Sequence, residues 1–237
     1  MRKEQKANYP ESARGAAALL VRMVLEDGAY TNIALNQYLR GSRLSDLDRR
    51  LATELVYGTV KASGTLDWYL AQCVSRPLDK VAGDILAILR ISTYQLLYMT
   101  RIPASAAVNE AVKLARSVSH EGSAKFVNGV LRGLLRKQEA GAFVLPDAEK
   151  QDADYLSLQY YHPRWLVKRW LGPWGRGGTE RLLAFDNTAA PVCLRANTLV
   201  TTRDKLLADL TEMGAQVRAS EIGRASCRER VYDVVVL

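Results

Sequence analysis

The side chains able to do covalent or metal chemistry in this 237-residue chain are few and scattered. Three cysteines, Cys73, Cys193 and Cys227, lie too far apart in sequence for a disulfide framework or a clustered zinc site, and each reads as an isolated reduced thiol. Of the two histidines, His162 precedes Pro163 at a helix entrance, where an imidazole more often bonds local backbone than catalyses. Neither it nor His120 has a sequence neighbour suited to nucleophilic or metal chemistry. Gly175-Arg176-Gly177-Gly178 is rich in glycine, but a phosphate-cradling turn has to follow a strand. No strand precedes this run, so it reads as a plain loop.

Charge is the stronger signal. The formal net charge is +8; residues 1–137 hold 20 Lys+Arg against 12 Asp+Glu, whereas residues 138–237 hold 13 of each. A domain-sized positive excess concentrates polyanions and supports sequence-independent phosphate contacts, which puts nucleic acid first among partners. The competing reading is a solvated charged face. Arg2, Lys3 and Lys6 form a basic arm that either folds onto RNA or serves as a solubilising tail. Lys125 and Arg132 flank Asn128-Gly129. Glycine inside a helix costs about 1 kcal/mol relative to alanine, so a close helix approach or a local break is expected at Gly129. A break flanked by two cations suits a phosphate, and Asn128 beside it caps, turns or touches RNA.

Helices must position these groups. Apolar residues recur at helical spacing in Ser12–Glu26, with Asp27-Gly28 as a stop, and in Asn32–Leu39 before Arg40-Gly41-Ser42-Arg43. Ser45, with Asp46 and Asp48 behind it, opens a third helix whose buried stripe is Leu47, Leu51, Leu55, Val56 and Val60. A fourth runs from Thr65 to Val74 and ends at Arg76-Pro77. Apolar residues surround the axis from Ile85 to Tyr98, marking a central helix in which Tyr94, Leu97 and Tyr98 serve packing. Two further segments, around Ala107–Ala115 and Phe126–Leu135, complete seven, an all-α bundle over residues 1–138.

Residues 139–151 lack periodicity and read as a linker. Beyond them Tyr155–Tyr161, Pro163–Leu171 and Glu180–Phe185 look helical. Pro191–Asn197 alternates like a strand, Thr202–Met213 is a helix that Gly214 ends, and Ala215–Val217 returns as a strand. The order implies the opening of a small α+β subdomain over residues 152–221. No uninterrupted apolar stretch is long enough to span a bilayer, and the amino terminus lacks the apolar core of a secretory signal, so a cytoplasmic protein is expected.

Four phrases in the helical part occur in one order: Leu55-Val56-Tyr57-Gly58-Thr59, Ile88-Leu89-Arg90 through Tyr94-Gln95-Leu96-Leu97-Tyr98, Ile102-Pro103 through Asn109-Glu110-Ala111-Val112, and Phe126-Val127-Asn128-Gly129-Val130-Leu131-Arg132. Together they resemble the NusB-like RNA-binding domain. The later phrases Tyr161-His162-Pro163-Arg164-Trp165-Leu166-Val167-Lys168-Arg169-Trp170 and Ala190-Pro191-Val192-Cys193-Leu194-Arg195-Ala196-Asn197 resemble the segment ahead of the catalytic domain in B-type small-subunit ribosomal RNA methyltransferases. A stand-alone antitermination factor of the NusB type ends near residue 138; that regulatory RNA-binding role, or a protein-interaction bundle, is the alternative reading.

The resemblance implies a ferredoxin-like (RRM-like) second subdomain, a monomer, small-subunit ribosomal RNA as partner, and RNA contacts from Arg14 on the first helix. It also implies a reaction in which a cysteine thiolate adds to the cytosine ring and the neighbouring carbon takes a methyl group from S-adenosylmethionine. The family carries its cofactor site and cysteines in an Ala-Pro-Gly-Gly phrase and in Pro-Cys and Thr-Cys motifs, none of which occurs in this sequence. The chain is therefore expected to bind no cofactor or metal and to be inactive alone, as the amino-terminal RNA-binding fragment of such an enzyme. Residues 222–237, beginning Ile222-Gly223-Arg224-Ala225-Ser226-Cys227, depart from the family and look like translated adapter DNA, so they are expected to pack poorly and belong to no native element.

Overall fold

The computed structural model describes residues 8–189, 192–219 and 233–236. Helix α1 (Ala13–Leu25) starts where the Ser12 hydroxyl accepts the Gly15 N–H, and its Ala16, Ala17 and Ala18 are fully buried. Small side chains on this face let α1 lie close to its neighbours α3 and α4. Helix α2 is Thr31–Gly41, and α3 is Asp46–Ala71. The expected cap is present on α3: Ser45 Oγ accepts the Asp48 N–H, with Asp46 and Asp48 in the first turn.

Two sequence expectations change here. The third and fourth helical segments are one 26-residue helix, because Ala62, Thr65, Leu66 and Leu70 continue its buried stripe straight through Ser63 and Gly64. Burial of such side chains, worth about 1.5–3 kcal/mol for each large one, outweighs a glycine's cost of about 1 kcal/mol. Bundle residues 8–139 therefore hold six α-helices among the described residues, not seven. Leu47, expected in the stripe, is exposed at 77%.

Helix α4 (Gly83–Tyr98) is the central element: Ile85 to Leu89 and Ile91 to Thr93 are buried all round its axis. Arg90 forks onto Asp67 of α3, Nε to Oδ1 and Nη2 to Oδ2, both at 2.8 Å. Tyr94 and Leu97 pack against the core as expected, and the Tyr94 and Tyr98 rings lie 5.4 Å apart. Helices α5 (Ala104–Val118) and α6 (Glu121–Glu139) pack on each other and on α4. The segment after α6, residues 140–151, lies on the bundle, and residue 139 of the expected linker closes the helix itself. Phe143 stands edge-on to Tyr69 with ring centroids at 4.7 Å, and Lys137 Nζ donates to the Gln72 carbonyl at 2.6 Å.

Helix α7 (Asp152–Tyr160) is tied to α3 by Thr65 Oγ1, which donates to the Leu158 carbonyl at 2.9 Å. Its end, Tyr161, takes a left-handed conformation and sets its ring edge-on to Tyr98 at 5.6 Å. Helix α8 (Arg164–Asp186) runs through the Gly-rich cluster that the sequence presents as a loop. Only Gly175, at φ 60 and ψ −179, leaves helical geometry, so two helical pieces meet there at a kink. Arg176, just past the kink, donates to the Ala148 carbonyl and to Asp152.

By contacts the chain divides into units 1–179 and 180–237. The second unit, taken by itself, carries β1 (Val192–Leu194), α9 (Arg203–Glu212), β2 (Gln216–Ala219) and β3 (Asp233–Val236). The three strands are parallel in the order β1-β3-β2, with Cys193 opposite Val235 and Val217 opposite Val234. The strand-helix-strand order and the ending of α9 follow the sequence: Thr202 caps the helix and Gly214 follows it at φ 82. Of the expected non-native segment 222–237, only Asp233–Val236 falls within the described residues, and it forms the middle strand. Among the described residues no helix is long and apolar enough to cross a membrane.

Candidate nucleic-acid interface

Helices α5 and α6 form a hairpin turned at Ser119 and His120. His120 caps α6, its Nδ1 accepting the Ser123 N–H at 3.3 Å, which keeps the second helix starting at Glu121. Between the two helices lies a groove of about 720 Å³. Lys125, Asn128 and Arg132 line it from α6, at three- and four-residue spacing on one helix face. Arg132 Nε donates to Asn128 Oδ1 at 2.9 Å, which fixes both side chains and leaves the Asn128 amide nitrogen as a donor.

The opposite wall comes from α5. Asn109 and Arg116 line it at helical spacing, and neither was singled out from sequence. Asn109 sits inside a phrase already noted, Ala107 to Val112, yet only the docking of α5 against α6 reveals which of its side chains face the groove. Arg116 makes a two-pronged pair with Glu121, Nε to Oε2 at 2.6 Å and Nη2 to Oε1 at 3.1 Å. Hydrogen bonding by Arg116 holds the Glu121 carboxyl below the usual carboxylate range, and the same bond raises the guanidinium. The lining has three cations, Arg116, Lys125 and Arg132, against one carboxylate, Glu121. A groove with fixed, solvent-facing cations and amide donors can take phosphates and hydrogen-bond base or sugar edges.

The other expected site residues are placed differently. Arg14 is not in this groove: its Nε donates at 2.8 Å to Oε1 of Gln95, a residue 1% exposed, whose own amide donates to the Ile91 carbonyl. Arg14 thus satisfies a buried acceptor on α4. Arg2, Lys3 and Lys6 lie outside the described residues, as does Cys227. The close approach or break expected at Gly129 is absent: α6 is continuous there, and a Cβ added at Gly129 meets nothing within 4 Å. Gly129 is an exposed position on an unbroken helix, so Lys125 and Arg132 act from a regular helical face rather than from a kink. His162 bonds locally, with Nδ1 2.5 Å from the Tyr160 carbonyl.

Comparison with known proteins places two stretches of the sequence. The NusB family model matches residues 11–136. The RsmF/B-like methyltransferase ferredoxin-like domain matches residues 162–228. "Probable ribosomal RNA small subunit methyltransferase B" of Synechocystis sp. (strain ATCC 27184 / PCC 6803 / Kazusa) is 39% identical over 208 residues, covering 88% of this chain and 46% of the relative. The protein of the same name from Bacillus subtilis (strain 168) is 33% identical over 211 residues, covering 89% and 46%. The chain therefore spans about half the length of these curated relatives. Among solved structures, NusB of T. maritima superposes with a TM-score of 0.50 at 21% identity, over 56% of this chain and 98% of that one.

Proposed function

The chain belongs to the NusB family through residues 11–136, and from this we propose that it is the RNA-gripping part of a methyltransferase that modifies small-subunit ribosomal RNA at cytosine carbon 5. The α5/α6 groove docks the RNA. Lys125 and Arg132 hold phosphates, Arg116 supplies a third cation from the facing helix, and Asn128 donates to the backbone or to a base edge. One observation carries this reading: Lys125, Asn128 and Arg132 of α6 line a single open groove opposite Asn109 and Arg116 of α5. The match of residues 162–228 supports the methyltransferase over a stand-alone antitermination factor. The protein works as a monomer in the cytoplasm.

The methyl donor of such an enzyme is S-adenosylmethionine, and the described residues do not fit it. A dinucleotide-type site needs a glycine turn directly after a strand. Here the run 175–178 lies in α8 ahead of the first strand, and β1 leads into Arg195, Ala196 and Asn197. No chemical step is assigned to this chain.

The test is a salt series of binding to a small-subunit ribosomal RNA fragment. Affinity falls steeply with salt, and Lys125→Ala and Arg132→Ala each reduce the slope of log K against log salt by about one. Salt-independent binding, or slopes that ignore both substitutions, refutes the groove.

A further inference from the structure

We propose that the first half of α8 is a second RNA surface, one that stacks an unpaired base on Trp165 while Lys168 and Arg169 hold the flanking phosphates. The proposal rests on the RNA reading above and adds single-stranded RNA as the partner at a different place in the fold. Residues 163–178 contain no Asp or Glu but four cations, Arg164, Lys168, Arg169 and Arg176. Two of these are committed: Arg164 pairs with Asp154 and Arg176 with Asp152. Lys168 and Arg169 are exposed and, among the described residues, take part in no ion pair. They lie three and four positions after Trp165, on the same helix face.

Trp165 is 66% exposed, on the side of the helix away from the buried Val167, so the core does not explain an indole there. Trp174, 53% exposed, is about two and a half turns further on and so on the opposite face; it lies against Trp170, with ring centroids at 6.1 Å and planes at 27°, and is no part of this surface. His162 lies on Trp170 in turn, with ring centroids at 6.1 Å. An exposed indole beside two uncommitted cations, with no acid within residues 163–178 and Asp154 and Asp152 already paired to arginines, matches the two requirements of a single-strand platform, a π-face for the base and positive charge for the backbone. An acidic protein surface would satisfy the cations without needing the ring faces.

The full chain is titrated with short oligouridylate, with an RNA duplex and with polyphosphate, following tryptophan fluorescence and affinity. Oligouridylate quenches the fluorescence, polyphosphate of equal charge does not, and Trp165→Ala weakens single-strand binding about tenfold, whereas Trp174→Ala on the other face leaves it unchanged. Trp165→Phe retains most of the affinity, and duplex binding is unchanged in all three variants. Equal quenching by polyphosphate, or an affinity for oligouridylate that Trp165→Ala leaves untouched, overturns the proposal. Lys125→Ala and Arg132→Ala separate it from the groove: if only those two matter, the α8 surface falls and the groove stands, and if only Trp165→Ala matters, the groove falls.

Discussion

Gly58 of α3 lies so close to the ring of Tyr94 on α4 that a Cβ at position 58 would come 2.1 Å from Tyr94 Cζ and 2.3 Å from its hydroxyl. The absent side chain lets α3 and the central helix α4 meet here. Gly58→Ala should therefore lower the thermal midpoint despite alanine's higher helix propensity. Tyr94 has to swing away from position 58, and overpacking of this kind costs about 1–3 kcal/mol. A companion Tyr94→Leu change should recover most of the loss; a Gly58→Ala chain as stable as its parent refutes the contact.

Arg14 separates stability from RNA affinity. Its removal leaves the Gln95 Oε1 acceptor without its donor at a position 1% exposed, and an unsatisfied buried polar group costs about 1–3 kcal/mol. Arg14→Ala should then shift the urea midpoint down. Lys125→Ala and Arg132→Ala, on an exposed face, should leave it in place. Equal midpoints for all three would contradict the assignment of Arg14 to the core.

The tyrosines predict an alkaline limit. Burial, and then the hydrogen bond with Tyr161, push the Tyr98 hydroxyl far above the usual phenol range, and burial together with the bond to Asp84 does the same for Tyr9. Both protons stay on in the folded chain at a pH where the unfolded chain releases them, near pH 10. Stability from these groups is complete below that pH and declines as pH rises beyond it. Thermal midpoints measured between neutral pH and strongly alkaline solution should hold steady and then drop, and Tyr98→Phe should make the drop shallower. A midpoint independent of pH in that range would count against a buried, bonded Tyr98.

Gly175 holds a conformation, φ 60 and ψ −179, that side chains rarely adopt. The space around it is open, so a substitution is penalised by backbone strain alone. Gly175→Ala should cost about 1–3 kcal/mol, whereas Gly172→Ala, in regular helix with nothing within 4 Å of its added Cβ, should be neutral or stabilising. Circular dichroism melts of the two variants make the comparison directly.

Much of the bundle was legible because it is written in local signals. Ser12, Ser45 and Thr202 announce their helices as caps, and the apolar ring of α4 marks it as central. The continuity of α3 was not legible, since Ser63-Gly64 is a local break signal and the burial of Leu66 and Leu70 that overrides it is a property of neighbours. Half of the groove was legible for a similar reason. Lys125, Asn128 and Arg132 belong to one helix and share its period, but Asn109 and Arg116 join them only through the pairing of α5 with α6. Arg14 points the same way: its charge is visible in sequence, while its partner Gln95 is 81 positions distant.

Phe143 gives the bundle a practical lower limit. It roofs Tyr69 and Trp68, with ring centroids at 4.7 and 6.3 Å, although it sits in a stretch whose composition suggests a mere spacer. A shortened polypeptide stopping at residue 138 would wet both rings and also forfeit the bond from Thr65 to Leu158. The smallest piece able to stand in water unaided thus extends through α7, and proteolysis that trims the chain back to residue 138 should yield a sticky, aggregating product.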